Sequence, residues 1–168
     1  MTLATWHDDL NIGDSKIDRE HRELFEMVNA LHDAILREEP TIAVKAIVDR
    51  LAQHTIDHFQ SEEGLMRRYR YPGYNRHKQV HDNLTRKIIK IQKKLNKREV
   101  TITSDLTAFL QEWLAHHIKG EDQNMILFFQ QKTANLATTA RSAQRGDRAF
   151  CDRYSGFQIR FDRPSIPF

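Results

Sequence analysis

The chain has 168 residues, 29% of them charged and 39% hydrophobic, with a net charge of +3 and one cysteine, Cys151. This is the composition of a folded globular protein; it excludes a disordered chain, an internal disulfide and a thiolate-built metal site. No stretch reaches the roughly 18 apolar residues of a membrane-spanning helix, the start MTLATWHDDLN lacks a basic-then-apolar leader, and we expect a cytoplasmic location.

An N-terminal arm containing Trp6 precedes the first predicted helix, about Asp18 to Leu36, where Leu24, Phe25, Val28, Leu31 and Ile35 share a face. Pro40 separates it from a second helix, about Thr41 to Tyr69, carrying Ile42, Val44, Ile47, Val48, Leu51, Ile56, Phe59 and Met66. The YPGY turn introduces a third, about Tyr74 to Leu95. A fourth starts near Ser104, a plausible N-cap, and runs through Leu110, Trp113, Leu114 and Ile118 toward Phe129. Gly64 and Gly120 interrupt the second and fourth. Helices joined by short loops imply an all-α, up-down-up-down four-helix bundle over 1–132, with a C-terminal extension over 133–168.

The small polar residues from Thr133 to Ala143 can prolong the last helix, whereas Phe157, Ile159 and Phe161 alternate with polar residues as an extended segment would. Six arginines against three aspartates carry the excess charge there. The balanced body gives no footing for nucleic-acid binding.

Nine histidines are unusually many, and their spacing is informative. His58 precedes Glu62 by four residues, and His77 precedes His81 by four, so each pair shares a helix face. His117 and Asp122 are five apart, out of line for a regular helix, with Gly120 between them to permit local adjustment. His21 is a further candidate on the first helix. A lone His-x-x-x-Glu is usually a solvated pair. In an up-down-up-down bundle, however, these five imidazoles and two carboxylates can meet at one level of the core.

Such a set suits two metal ions. Five neutral imidazoles cancel no charge, whereas two carboxylates can each bridge two cations, and a bridging oxide or hydroxide adds anionic charge. Iron suits mixed imidazole and carboxylate donors, although affinity alone does not exclude other transition metals. If the two ions are octahedral, these donors and one bridging oxygen leave a single position open, suited to a small ligand such as dioxygen. His7, His32 and His116 stand apart from the set. His54, one turn before His58, is either a partner of a ligand, a substitute ligand or a polar core residue, and Glu63 is either solvated or a partner of a ligand.

The runs IDREHRELF, HFQSEEGLM, YPGYNRHKQVH and WLAHHIKGED, in that order, resemble the signature of the bacterial hemerythrins over about residues 6 to 125. The resemblance implies a four-helix bundle holding two iron ions with an oxo or hydroxo bridge and binding dioxygen reversibly. Carried over, it makes His21 and His58 ligands of the iron with the open position. It gives His77, His81 and His117 to the other iron, with Glu62 and Asp122 bridging. Phe59, Trp113, Leu114 and Ile118 match apolar positions around the oxygen pocket; plain core packing explains each of them equally.

The expected function is therefore dioxygen storage, transport or delivery rather than catalysis. No Ser/His/Asp arrangement, glycine-rich phosphate loop or cysteine nucleophile is evident. The alternatives are an oxygen or redox sensor and a di-iron oxidase, peroxidase or nitric-oxide-reducing enzyme. The tail has no counterpart in the motifs; it either solvates itself, covers the pocket entrance, or docks a protein partner through Phe157, Phe161 and Phe168.

Overall fold

The computed structural model describes residues 3–97 and 102–154, with side chains as far as residue 138. A 3₁₀ turn, Asp8–Leu10, leads into helices α1 (Ser15–Leu36), α2 (Thr41–Tyr69), α3 (Tyr74–Asn96) and α4 (Ser104–His117). A π-helical turn, Ile118–Asp122, then joins α4 to α5 (Gln123–Tyr154). The architecture is the expected all-α, up-down-up-down four-helix bundle, its fourth member made by α4, the π turn and the start of α5. α1 packs against both α2 and α4, and α2 against α3. No described helix is long and apolar enough to cross a membrane.

Local chemistry sets the boundaries. The Asp14 carboxylate caps α1 by accepting from Lys16 N and Ile17 N, so the helix begins three residues before the apolar periodicity does. Pro40 caps α2 with φ −55°, suited to helix entry. α2 ends on Arg70, whose left-handed φ of 53° lets its amide reach the carbonyls of Met66 and Arg67. Ser104, expected as an N-cap, is instead the first helical residue of α4: Thr103 is the extended residue before it, and its carbonyl accepts from Leu106 N.

The chain divides into two compact units, Met1–Phe129 and Gln130–Phe168. In the first, Ile17, Leu31, Met66, Ile118 and Met125 are fully enclosed, and the buried core continues through Leu24, Phe25, Leu51, Leu84 and Leu114. The N-terminal arm belongs to this core. Asn29 Oδ1 accepts from Leu3 N and Ala4 N, while its Nδ2 donates to Ala4 O at 2.7 Å. Asp18 accepts from Ile12 N at 2.8 Å and from Gly13 N at 3.3 Å. These bonds place the Trp6 ring edge-on to Phe25, with centroids 5.6 Å apart, and 6.4 Å from the His21 ring. In the second unit the helix continues through the small polar stretch from Thr133 as far as Tyr154. The expected extended segment with Phe157, Ile159 and Phe161, and the anchor Phe168, lie outside the described residues.

Candidate metal centre

All seven predicted donors converge. Glu62, His77, His81, His117 and Asp122 each offer an atom such that all lie within 4.8 Å of one another, and His21, His58, Glu62 and Asp122 form a second such group. Both groups contain the same two carboxylates. The divided histidines, three on one side and two on the other, come from different helices: His77 and His81 from α3 and His117 from α4, against His21 from α1 and His58 from α2.

The π turn explains the five-residue spacing of His117 and Asp122. In a regular α-helix five residues turn the side chain about 140° away. Within Ile118–Asp122 the wider i→i+5 winding brings it back, so that Asp122 Oδ1 lies 3.1 Å from His117 Nε2. A Cβ added at Gly120 would meet nothing within 4 Å, so side-chain space does not require glycine at that position. Gly64 is similarly open, and α2 passes through it unbroken.

The donor set is closed to solvent: His21, His77, Glu62 and Asp122 are 0% exposed, His81 1%, His58 2% and His117 4%. Asp122 Oδ1 is 3.0 Å from His77 Nε2, and Oδ2 is 3.2 Å from His21 Nε2. Glu62 Oε2 is 3.2 Å from His81 Nε2, while Oε1 is 3.7 Å from His58 Nε2. Each carboxylate thus faces imidazoles of both groups with separate oxygens.

Electrostatics point the same way. Burial, then the charge of Asp122, pushes the Glu62 carboxyl well above its usual range. Burial would raise Asp122 as well, but the imidazoles of His117, His21 and His77 outweigh it and hold this carboxyl well below. Burial and the neighbouring His117 and His77 push His81 far below the ordinary histidine value, so its ring is neutral and its lone pair is free to ligate. Two buried acidic side chains facing five buried imidazoles form a cradle suited to cations.

The polar atoms test that fit. The Nε2 atoms of His77 and His81 lie 3.3 and 3.0 Å from that of His117, yet a neutral imidazole has only one N–H to donate. Both oxygens of Glu62 and of Asp122, His58 Nε2 and both ring nitrogens of His21 are buried without a hydrogen-bond partner. An unsatisfied buried group costs about 1–3 kcal/mol. Divalent metal ions would satisfy the carboxyl oxygens and the inward-facing Nε2 atoms together, leaving His21 Nδ1 outside the set, and the residues fit them.

Aromatic rings brace two of the candidate donors. Phe59 stacks on His81 with centroids 3.8 Å apart and planes 6° off parallel, and Trp113 stacks on His117 at 4.5 Å. Beside them lies a cavity of about 20 Å³ whose walls include Phe59, Trp113, Leu114, Leu24, Leu110 and Thr55. Thr55 Oγ1 donates to Leu51 O at 2.7 Å and leaves the lining apolar. Ile118, expected in the same pocket, is fully buried but is not among the residues that line this cavity.

The other histidines do different work. His32 Nδ1 is 2.9 Å from Thr107 Oγ1, joining α1 to α4, and His116 sits on the surface against Glu112 O. His54 is no substitute ligand: its Nε2 lies 3.3 Å from the carbonyl of Glu20 and 3.5 Å from Glu23 Oε2. Glu63 is mostly buried, 3.5 Å from both Lys78 Nζ and His81 Nδ1. Glu20 has no counterpart among the predicted residues, yet its Oε2 is 3.0 Å from His58 Nδ1. Burial opposes its ionisation, but the His58 hydrogen bond and Lys16 outweigh that and hold its carboxyl below the usual value. Only its place next to His21 hinted at this, because its partner is on another helix.

A four-helix bundle with a buried histidine-rich cluster shared by two carboxylates defines the class of non-haem dinuclear metal proteins. The family described as the hemerythrin HHE cation binding domain matches residues 13–127. A bacteriohemerythrin of Stenotrophomonas maltophilia is 36% identical over 146 residues, covering 87% of this chain and 92% of its own. That of Methylococcus capsulatus is 33% identical, covering 73% of this chain and 94% of its own. A wild-type hemerythrin crystal structure superimposes with a TM-score of 0.69 at 31% identity, over 72% of this chain and 93% of its own. The chain belongs to the hemerythrin family, and its buried His/Glu/Asp cluster matches the di-iron site typical of that family.

Proposed function

We propose that the cluster holds two iron ions joined by an oxo or hydroxo bridge, and that the protein binds dioxygen reversibly as a carrier or store. In this reading His77, His81 and His117 ligate one iron, His21 and His58 the other, and Glu62 and Asp122 span both. The observation that carries it is the unequal division of imidazoles between two donor groups sharing the same carboxylates. The group containing His21 and His58 has one imidazole fewer, and in this reading would leave room for dioxygen there. When bound, the iron pair supplies the redox chemistry that takes up and releases dioxygen.

The chain's own part is to orient and enclose. The stacked Phe59 and Trp113 fix the rings of His81 and His117, and together with Leu114 they keep the adjoining cavity apolar. Dry walls favour release of the gas unchanged over proton-coupled loss of a reduced oxygen species. Imidazoles outnumber carboxylates, unlike the carboxylate-rich donor sets of ferritin-like oxidation centres. Both features favour binding over catalysis. We place the protein in the cytoplasm and the binding function in residues 1–132; the extension 133–168 is either a solvated tail or a docking segment for a protein partner, the solvated tail being the reading its six arginines favour.

The test is the visible spectrum of the purified, anaerobically reduced protein through repeated cycles of air and argon. A colour that appears and disappears with one dioxygen per chain supports carriage. Continuous oxygen consumption with added reductant would make the protein an oxidase.

A further inference from the structure

We propose that Glu20 is a positioning residue for the metal centre: its carboxylate accepts the Nδ1 proton of His58 and thereby sets the orientation and donor strength of that ligand. The role rests on the metal-binding reading above. Among the described ligand imidazoles, His58 alone has its outer nitrogen hydrogen-bonded to a carboxylate, at 3.0 Å. The outer nitrogens of His21, His77 and His117 have no hydrogen-bond partner, and that of His81 stands 3.5 Å from Glu63.

With Nδ1 donating to Glu20, the His58 proton is confined to that nitrogen and the Nε2 lone pair faces Glu62 and the cluster. Glu20 is itself held on two further sides. Its Oε1 lies 3.4 Å from Lys16 Nζ, and its backbone carbonyl lies 3.3 Å from His54 Nε2. That gives His54 a use: one turn before His58 on α2, it ties α2 to the α1 residue that orients His58. An anionic acceptor draws the Nδ1 proton toward itself and raises electron density on Nε2, which favours the more highly charged ion. The effect falls on the donor group with fewer imidazoles, where one ligand weighs most.

The experiment titrates metal-free protein anaerobically with Co²⁺, reading ligand-field absorption and competition with a chelator. The midpoint potential of the iron-loaded protein is measured alongside. Wild type is expected to take two Co²⁺. Glu20→Gln, which keeps the shape and an acceptor oxygen, is expected to bind one of the two about 10-fold more weakly, with altered absorption and a higher iron midpoint potential; Glu20→Leu is expected to lose about 100-fold. Glu23→Gln, whose carboxylate reaches His54 and not His58, is expected to match wild type. Wild-type affinity and potential in Glu20→Gln, or equal weakening in Glu23→Gln, would overturn the role. A wild type that takes up no Co²⁺ would overturn the metal reading itself, and this role with it.

Discussion

His32 and His77 separate two kinds of histidine that a count of histidines cannot. His77 is 0% exposed and its Nε2 faces both carboxylates, whereas His32 bonds a threonine hydroxyl between helices. Replacing His77 or Glu62 by alanine is therefore expected to reduce iron loading below two per chain. His32→Ala is expected to keep full loading while losing about 1 kcal/mol of stability, the usual worth of one hydrogen bond. Iron analysis beside urea unfolding checks both. At this scale the sequence was legible where ligands share a helix face, as in His58 with Glu62 and His77 with His81. Glu20 was not legible, because its bond to His58 joins positions 38 residues apart and depends on how α1 lies on α2.

The helices themselves were largely legible, because Pro40, the YPGY turn and the apolar periodicity mark their ends. The π turn was legible only as an anomaly: the five-residue gap between His117 and Asp122 signalled a departure from regular winding, and i→i+5 winding supplies it. Two changes test the energetics of α2. A Cβ at Gly64 meets nothing within 4 Å, so Gly64→Ala is expected to raise stability by about 1 kcal/mol in urea unfolding through its helix propensity. Asp49 pairs with Lys45 one turn earlier and accepts from Gln92 of α3 at 2.8 Å. The Lys45 bond, against a smaller opposing effect of burial and with help from Gln92, holds its carboxyl below the usual value. A folded value below the unfolded one means that this stabilisation is present above about pH 4 and is lost as the pH falls through the folded value. Because the pair is more than a third exposed, Asp49→Asn is expected to lower stability by only about 0.5 kcal/mol at pH 7, and the gap from wild type should close as the pH falls through the folded value of Asp49.

For the whole molecule, the seven candidate donors found among the described residues lie at or before Asp122, within the unit Met1–Phe129. Truncation after Lys132 is thus expected to leave iron loading and dioxygen affinity unchanged, as paired oxygen titrations of the two forms would establish. The extension's role was the least legible part of the sequence. Its arginines and phenylalanines match none of the motifs that identify the bundle, and periodicity can distinguish a helix from an extended segment but not a partner. The bundle was readable because its four motif pieces recur on four helices at one level of the core, a constraint that few other folds satisfy.

The most direct measurement of whether seven side chains form one dinuclear cradle is the anaerobic titration of metal-free protein with Fe²⁺, followed by metal analysis after removal of unbound iron. Two ions retained per chain, falling when either shared carboxylate is replaced, is the expected result. Retention of one ion or none by the wild type, or of two by a variant lacking both Glu62 and Asp122, would contradict it.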